Sequence, residues 1–108
     1  MTQRTLTDIT AEQARALLDG DAVLVDVREP HEQAVERIPN AIQRPLSRLA
    51  EGAAVDLPAG MTAVFLCASG ARTRNNSMGL AALVDGQAFC MTGGIAAWKR
   101  AGYPTERG

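Results

Sequence analysis

Three short runs in this chain, Ala22–Val25, Ala63–Leu66 and Ala88–Met91, are apolar at every position. A strand with one wet face alternates apolar and polar residues, so a run without alternation predicts burial on both faces. Two-sided burial is the condition of a parallel sheet sandwiched between helices, and helix signals fill the intervals between the runs. Thr10 and Gln13 form a capping box that predicts a helix from Thr10 through Leu18, with Gly20 just past its end and Ala14, Leu17 and Leu18 facing the sheet. Pro30 is placed to open a short helix through Val35. The Ile38–Ala41 stretch then turns into a brief strand at Ile42, and Pro45 begins another helical piece. Pro58, Ala59 and Gly60 form a turn before the second run. The spacing of Leu80, Leu83 and Val84 predicts the longest later helix over Thr73 to Val84, slightly weakened by Gly79. Asp85 and Gly86 turn into the third run, and Gly93-Gly94 leads into a last helix from Ile95 to Ala101, closed by Gly102 with Pro104 beyond. This alternation predicts an α/β doubly wound domain over residues 1–108, with its reactive groups gathered at the carboxyl ends of the strands.

A length of 108 residues with 46% hydrophobic side chains suits one core and leaves no room for a second. Eleven basic against twelve acidic residues give a formal net charge of -1, which argues against a nucleic-acid footprint or a polybasic membrane patch. No apolar run approaches the ~18 residues of a spanning helix, and the N-terminal MTQRTLTDITAEQ has no secretory apolar stretch. The expectation is a soluble, cytoplasmic chain without membrane contact. Cys67 and Cys90 are too few for a disulfide scaffold and lack zinc-site spacing, so free thiols, no metal and no cofactor are expected.

The segment Cys67-Ala68-Ser69-Gly70-Ala71-Arg72 joins the end of an apolar run to the start of a helix. Small side chains and a glycine let the backbone close tightly, so that N–H groups curl toward the sulfur and stabilise its thiolate. The helix beginning near Thr73 adds its positive end and Arg72 adds a charge. The thiol pKa is therefore expected below its free value of about 8.5. No Asp or Glu occurs from Leu57 to Val84, whereas Arg72 and Arg74 both do, which predicts a locally cationic pocket suited to an anionic substrate. The plainer reading of Cys67 is a small buried hydrophobe, which leaves the loop composition and the paired arginines as coincidences.

With those residues in view, the chain resembles the rhodanese homology domain along nearly its whole length. Val25-Asp26-Val27-Arg28-Glu29-Pro30-His31-Glu32 is similar to the family's Asp-x-Arg segment and acidic helix start. Arg37-Ile38-Pro39-Asn40-Ala41 is similar to its His-Ile-Pro-Gly-Ala stretch, departing at Arg37 and Asn40. Cys67 to Arg72 resembles the six-residue active loop, and Gly93 to Trp98 with Gly102-Tyr103-Pro104 resembles the closing Gly-Gly-x-x-x-Trp and Gly-x-Pro signature. The resemblance implies a rhodanese-like fold with about five mostly parallel strands and helices on both faces. It implies a Cys67 persulfide that moves sulfane sulfur from thiosulfate or another donor to a thiophilic acceptor, cyanide in vitro. The implied partners are a small anionic sulfur donor with a thiol or cyanide acceptor, or a protein donor or acceptor. The implied substrate-binding loop is Ala68, Ser69, Gly70, Ala71, Arg72 and Thr73, with Arg74, Asp26 and Arg28 in support. Ala68 stands where the family often has arginine or another polar residue, which implies weak thiosulfate activity. The Arg72–Asn76 run is similar to rhodanese domains that precede a pair of transmembrane helices in bacterial inner-membrane proteins, which implies a soluble excerpt at the cytoplasmic face.

Several residues carry two readings. Cys90, inside a predicted strand, reads as packing more than as a resolving thiol. His31, the only histidine, reads as an exposed side chain more than as a general base. Asp26 and Arg28 are expected to brace the loop or pair with each other and not to touch substrate. Trp98 with Ile95 reads as core. Ser69 either donates its hydroxyl to the site or serves a turn, and Arg74 either meets substrate or is solvated. Rival functions are a cysteine-based phosphatase or arsenate reductase and a non-enzymatic persulfide carrier or redox or nitrosylation sensor. The phosphatase signature has one residue more between Cys and Arg than the four between Cys67 and Arg72.

Overall fold

A computed structural model describes residues 4–107, so that Met1–Gln3 of the N-terminal stretch lie outside the described residues. The chain forms β1 (Thr7–Ile9), α1 (Ala11–Leu17), β2 (Val23–Asp26), α2 (Pro30–Val35), β3 (Glu36–Arg37), β4 (Ile42–Gln43) and α3 (Leu46–Ala50). It continues through β5 (Ala63–Leu66), α4 (Ala71–Asn75), α5 (Ser77–Ala81), β6 (Ala88–Met91), α6 (Gly94–Arg100) and β7 (Glu106–Arg107). Five strands make one sheet in the order β1-β6-β5-β2-β4, and each neighbouring pair is parallel. Strands β3 and β7 form a separate antiparallel pair.

Both faces of the sheet are covered, as the unbroken apolar runs require. On one face Val25, Phe65 and Cys90 pack with Leu49 of α3 and with Leu80 and Ala81 of α5. On the other, Leu24, Val64, Leu66 and Met91 pack with Ala11 and Ala14 of α1 and with Ile95 and Trp98 of α6. The fold is thus an α/β sheet covered by helices on both faces and wholly parallel in its central five strands, as the resemblance implies. Local chemistry sets the helix starts. Thr10 Oγ1 accepts from the Gln13 amide at 3.0 Å while the Gln13 side chain accepts from Thr10 N at 2.8 Å, closing the capping box of α1. Pro30 occupies the first turn of α2, where its missing N–H costs nothing.

The expected helix from Thr73 to Val84 is instead two five-residue helices, α4 and α5, meeting at Asn76. Asn76 Nδ2 donates to the Arg72 carbonyl at 2.7 Å, taking the acceptor that a continuous helix would give to the Asn76 amide. That amide bonds the Thr73 carbonyl instead, at 3.3 Å. The break moves Leu83 out of the expected stripe onto the surface, leaving Leu80 and Ala81 as the buried residues of α5. Strand β1 at the sheet edge and the β3–β7 pair were not anticipated.

Asp26 is in register with Leu66, so β2 and β5 deliver their carboxyl ends side by side. From β2 the chain crosses to β4 on one side, and from β5 to β6 on the other. That reversal opens a crevice between the two strand ends, and Cys67 is the first residue into it.

Candidate active site

Cys67 leaves β5 almost fully buried, and the next six residues wrap its sulfur. Gly70 takes a left-handed conformation (φ 99°), which points its N–H at Cys67 Sγ over 3.1 Å. Helix α4 starts directly after it, so the amides of Arg72 and Thr73 also face the sulfur. The Thr73 hydroxyl lies 3.8 Å from Cys67 Sγ, 3.0 Å from the Gly70 carbonyl oxygen and 3.0 Å from Cys90 Sγ, so its one proton has three acceptors within reach. Burial pushes the Cys67 thiol pKa up. The amides of Thr73, Gly70 and Arg72, with the Thr73 hydroxyl, outweigh it and hold the thiol below its ordinary value. Cys90 has no comparable set of donors, and burial pushes its thiol up.

The start of α6 supports the loop from behind. The Ile95 amide donates to the Cys67 carbonyl at 2.9 Å and the Ala96 amide to the Ala68 carbonyl at 3.2 Å. With these carbonyls satisfied, the loop's N–H groups are left to face the opposite way, toward sulfur.

Residues predicted as one site divide into groups. Cys67, Gly70 and Thr73 are buried together, Ala68 is partly buried beside them, and Ser69, Ala71 and Arg74 are exposed. The Arg72 guanidinium does not stand open as a cation: Nη1 and Nη2 meet the two carboxylate oxygens of Glu32 at 2.6 and 2.8 Å. Absence of acidic residues near Cys67 in sequence does not make the pocket cationic, because α2 brings Glu32 across from 40 residues away. No local signal in the sequence marks the Glu32–Arg72 contact, which joins residues 40 positions apart. Asp26 and Arg28 form a buried pair at 2.9 Å, and Arg28 also donates to the Glu36 carbonyl at 2.7 Å. The Gln33 amide bonds the carbonyls of Asp26 and Arg28 at 3.2 and 2.9 Å, which ties α2, and hence Glu32, to the end of β2. His31 is exposed, and Trp98 is core, donating to the Pro104 carbonyl at 2.8 Å. Both cysteines are free thiols. Among the described residues no three His, Cys, Asp or Glu side chains come together as a metal site, and no helix is long and apolar enough to cross a membrane.

A family model described as a rhodanese-like domain matches residues 10–101. The crystal structure of a rhodanese-related protein from Thermoplasma volcanium superposes with a TM-score of 0.79 at 29% identity, covering 93% of this chain and 97% of that one. A protein of Allochromatium vinosum named sulfurtransferase is 37% identical over 84 residues, which is 78% of each chain. An uncharacterized protein of Synechocystis is 40% identical over 111 residues, covering 99% of this chain and 61% of its own. The chain therefore spans less than two thirds of that last relative.

Proposed function

This chain belongs to the rhodanese-like domain family, and on that premise we propose that it is a sulfurtransferase whose Cys67 carries the sulfur as a persulfide. The observation that carries the reading is the cluster of main-chain donors at the Cys67 sulfur, the Gly70 amide at 3.1 Å among them, which holds the thiol pKa down despite burial. A thiol held below its ordinary pKa reaches the thiolate form with less need of a general base, in keeping with the exposed position of His31.

The Cys67 thiolate attacks the outer sulfur of thiosulfate. A Cys67 S–S bond forms as the bond to the sulfonate sulfur breaks, and sulfite leaves with the electron pair. The terminal persulfide anion takes the place of the thiolate charge before the amides of Gly70, Arg72 and Thr73. Cyanide, or a thiolate acceptor in its place, then attacks the terminal sulfur; with cyanide, thiocyanate leaves and the Cys67 thiolate returns. Ala68 and Ala71 add no bulk beyond a methyl group to the loop, and the exposed Ser69 hydroxyl is available to the donor. Asp26 and Arg28 hold the strand end and take no part in the transfer, and Arg74 lies outside the amide ring.

Against a phosphatase stand the shorter loop and the engagement of Arg72 with Glu32, since an oxyanion cradle needs its guanidinium turned inward. Intact mass spectrometry separates the readings. Incubation with a sulfane donor is expected to add one sulfur atom, cyanide to remove it as thiocyanate, and Cys67→Ser to abolish both. A mass unchanged by thiosulfate, mercaptopyruvate and small-molecule persulfides alike, with turnover of a phosphate ester, rejects the sulfurtransferase.

A further inference from the structure

We infer that Glu32 is a specificity-determining residue: by engaging Nη1 and Nη2 of the Arg72 guanidinium it neutralises the loop's cation, and so selects donors whose leaving group carries no sulfonate. This rests on the sulfurtransferase reading and adds the donor's chemical class to it. The pair is bidentate, with contacts of 2.6 and 2.8 Å, and partly buried, a geometry that holds a guanidinium more firmly than a single contact does. Glu32 is itself held in place, because its Oε1 accepts the Glu29 amide at 3.0 Å at the start of α2. Its carboxyl pKa, lowered to about 2, keeps the clamp charged throughout the physiological range. The loop's other side chains offer no substitute, since Ala68 and Ala71 are apolar and Ser69 is neutral. Arg28 is engaged by Asp26 and the Glu36 carbonyl. A dianionic donor thus meets amides at its outer sulfur but a neutralised ion pair at its sulfonate. A persulfide R–S–SH meets no such deficit. The Cys67 thiolate takes its outer sulfur, a Cys67 S–SH bond forms, the donor's S–S bond breaks, and R–S⁻ leaves with the electron pair.

The test compares single-turnover loading rates, at subsaturating donor, for thiosulfate and 2-hydroxyethyl persulfide by rapid-quench intact mass. Glu32→Gln retains an oxygen for the Glu29 amide but removes the charge that holds Arg72. It is expected to raise the thiosulfate-to-persulfide ratio about tenfold, the scale of one freed charge-assisted hydrogen bond. Glu32→Ala gives up the cap as well and is expected to move the ratio in the same direction, so the test does not hang on one variant folding. In an Arg72→Ala background Glu32→Gln is expected to gain nothing. A ratio that stays level or falls in both Glu32 variants overturns the inference, and so does a full gain without Arg72, which means plain repulsion by the carboxylate. Failure of wild type to load from either donor sinks the sulfurtransferase reading itself. Loading from both with no response to Glu32 sinks this inference alone.

Discussion

Gly94 passes so close to Cys67 that a β-carbon on it would sit 2.2 Å from the Cys67 carbonyl oxygen. The same carbonyl accepts the Ile95 amide at 2.9 Å, so the first turn of α6 is the wall against which the loop is formed. Gly94 also has φ +56°, a left-handed conformation that a side chain strains. Gly94→Ala is expected to cost at least ~2 kcal/mol, since backbone strain of ~1–3 kcal/mol adds to the clash, and to turn the loop's amides off the sulfur. Urea denaturation and sulfur loading check the two effects. Gly79 in α5 is the control: it has a negative φ and open space around it, so Gly79→Ala should stabilise by ~0.5–1 kcal/mol. Equal effects at the two positions would show that close packing behind the loop does not matter.

The sulfur's ionisation depends on donors supplied by the loop, above all Thr73, which faces it with both amide and hydroxyl. The pH profile of Cys67 alkylation is expected to have its midpoint below the free-cysteine value of ~8.5. Thr73→Val keeps the shape and the amide but loses the hydroxyl, and should move the midpoint up. The paired change Arg72→Ala with Glu32→Gln removes two opposite charges while leaving the Arg72 amide, and should move it less. A larger shift from the pair than from Thr73→Val would transfer control of the thiolate from the hydroxyl and amides to the side-chain charges.

The Glu32–Arg72 pair also has a pH signature. The hydrogen bonds from Arg72 lower the Glu32 carboxyl from its ordinary 4.5 to about 2, against burial that raises it. A carboxylate depressed by folding stabilises the native state fully above its unfolded value, and that stabilisation fades as pH falls through the folded one. The difference in Tm between wild type and Glu32→Gln should therefore be flat above ~pH 5 and shrink between ~pH 4.5 and ~2. Because both side chains are partly exposed, added salt should reduce the plateau. A Tm difference unchanged down to ~pH 2 would mean that the charge of Glu32 contributes nothing.

Elements whose signals are local were legible in the sequence. The runs Ala63–Leu66 and Ala88–Met91 are β5 and β6 to the residue, because burial on both faces leaves no polar position to blur their ends. Thr10 with Gln13 and Pro30 marked the starts of α1 and α2 for the same reason: capping and ring geometry act within one turn. What was not legible depends on tertiary contacts or on single rotamers. β1 is a three-residue edge strand with one buried position, too short to show a period. The break at Asn76 hangs on one side-chain amide reaching back to Arg72. A scan for acidic residues near Cys67 along the chain could not find Glu32, which only the packing of α2 against the loop brings to Arg72.

That packing depends in turn on Asp26 and Arg28. Asp26 is fully buried and its carboxylate takes the Arg28 guanidinium at 2.9 Å and the Arg28 amide at 3.0 Å. A buried pair contributes little against a well-packed apolar replacement, but a partner left alone is an uncompensated buried charge. Arg28→Met is therefore expected to cost ~3–5 kcal/mol, while Arg28→Met with Asp26→Leu should recover much of that loss. Urea denaturation of both variants measures the difference. The double variant should still differ from wild type in donor preference. It removes the Arg28 hydrogen bond to the Glu36 carbonyl at the end of α2 and loosens the strand end that Gln33 grips, so Glu32 is held less firmly against Arg72. A single variant as stable as wild type would reduce the pair to a solvated contact. A double variant with wild-type stability and wild-type donor ratio would show that α2 holds Glu32 in place without help from the end of β2.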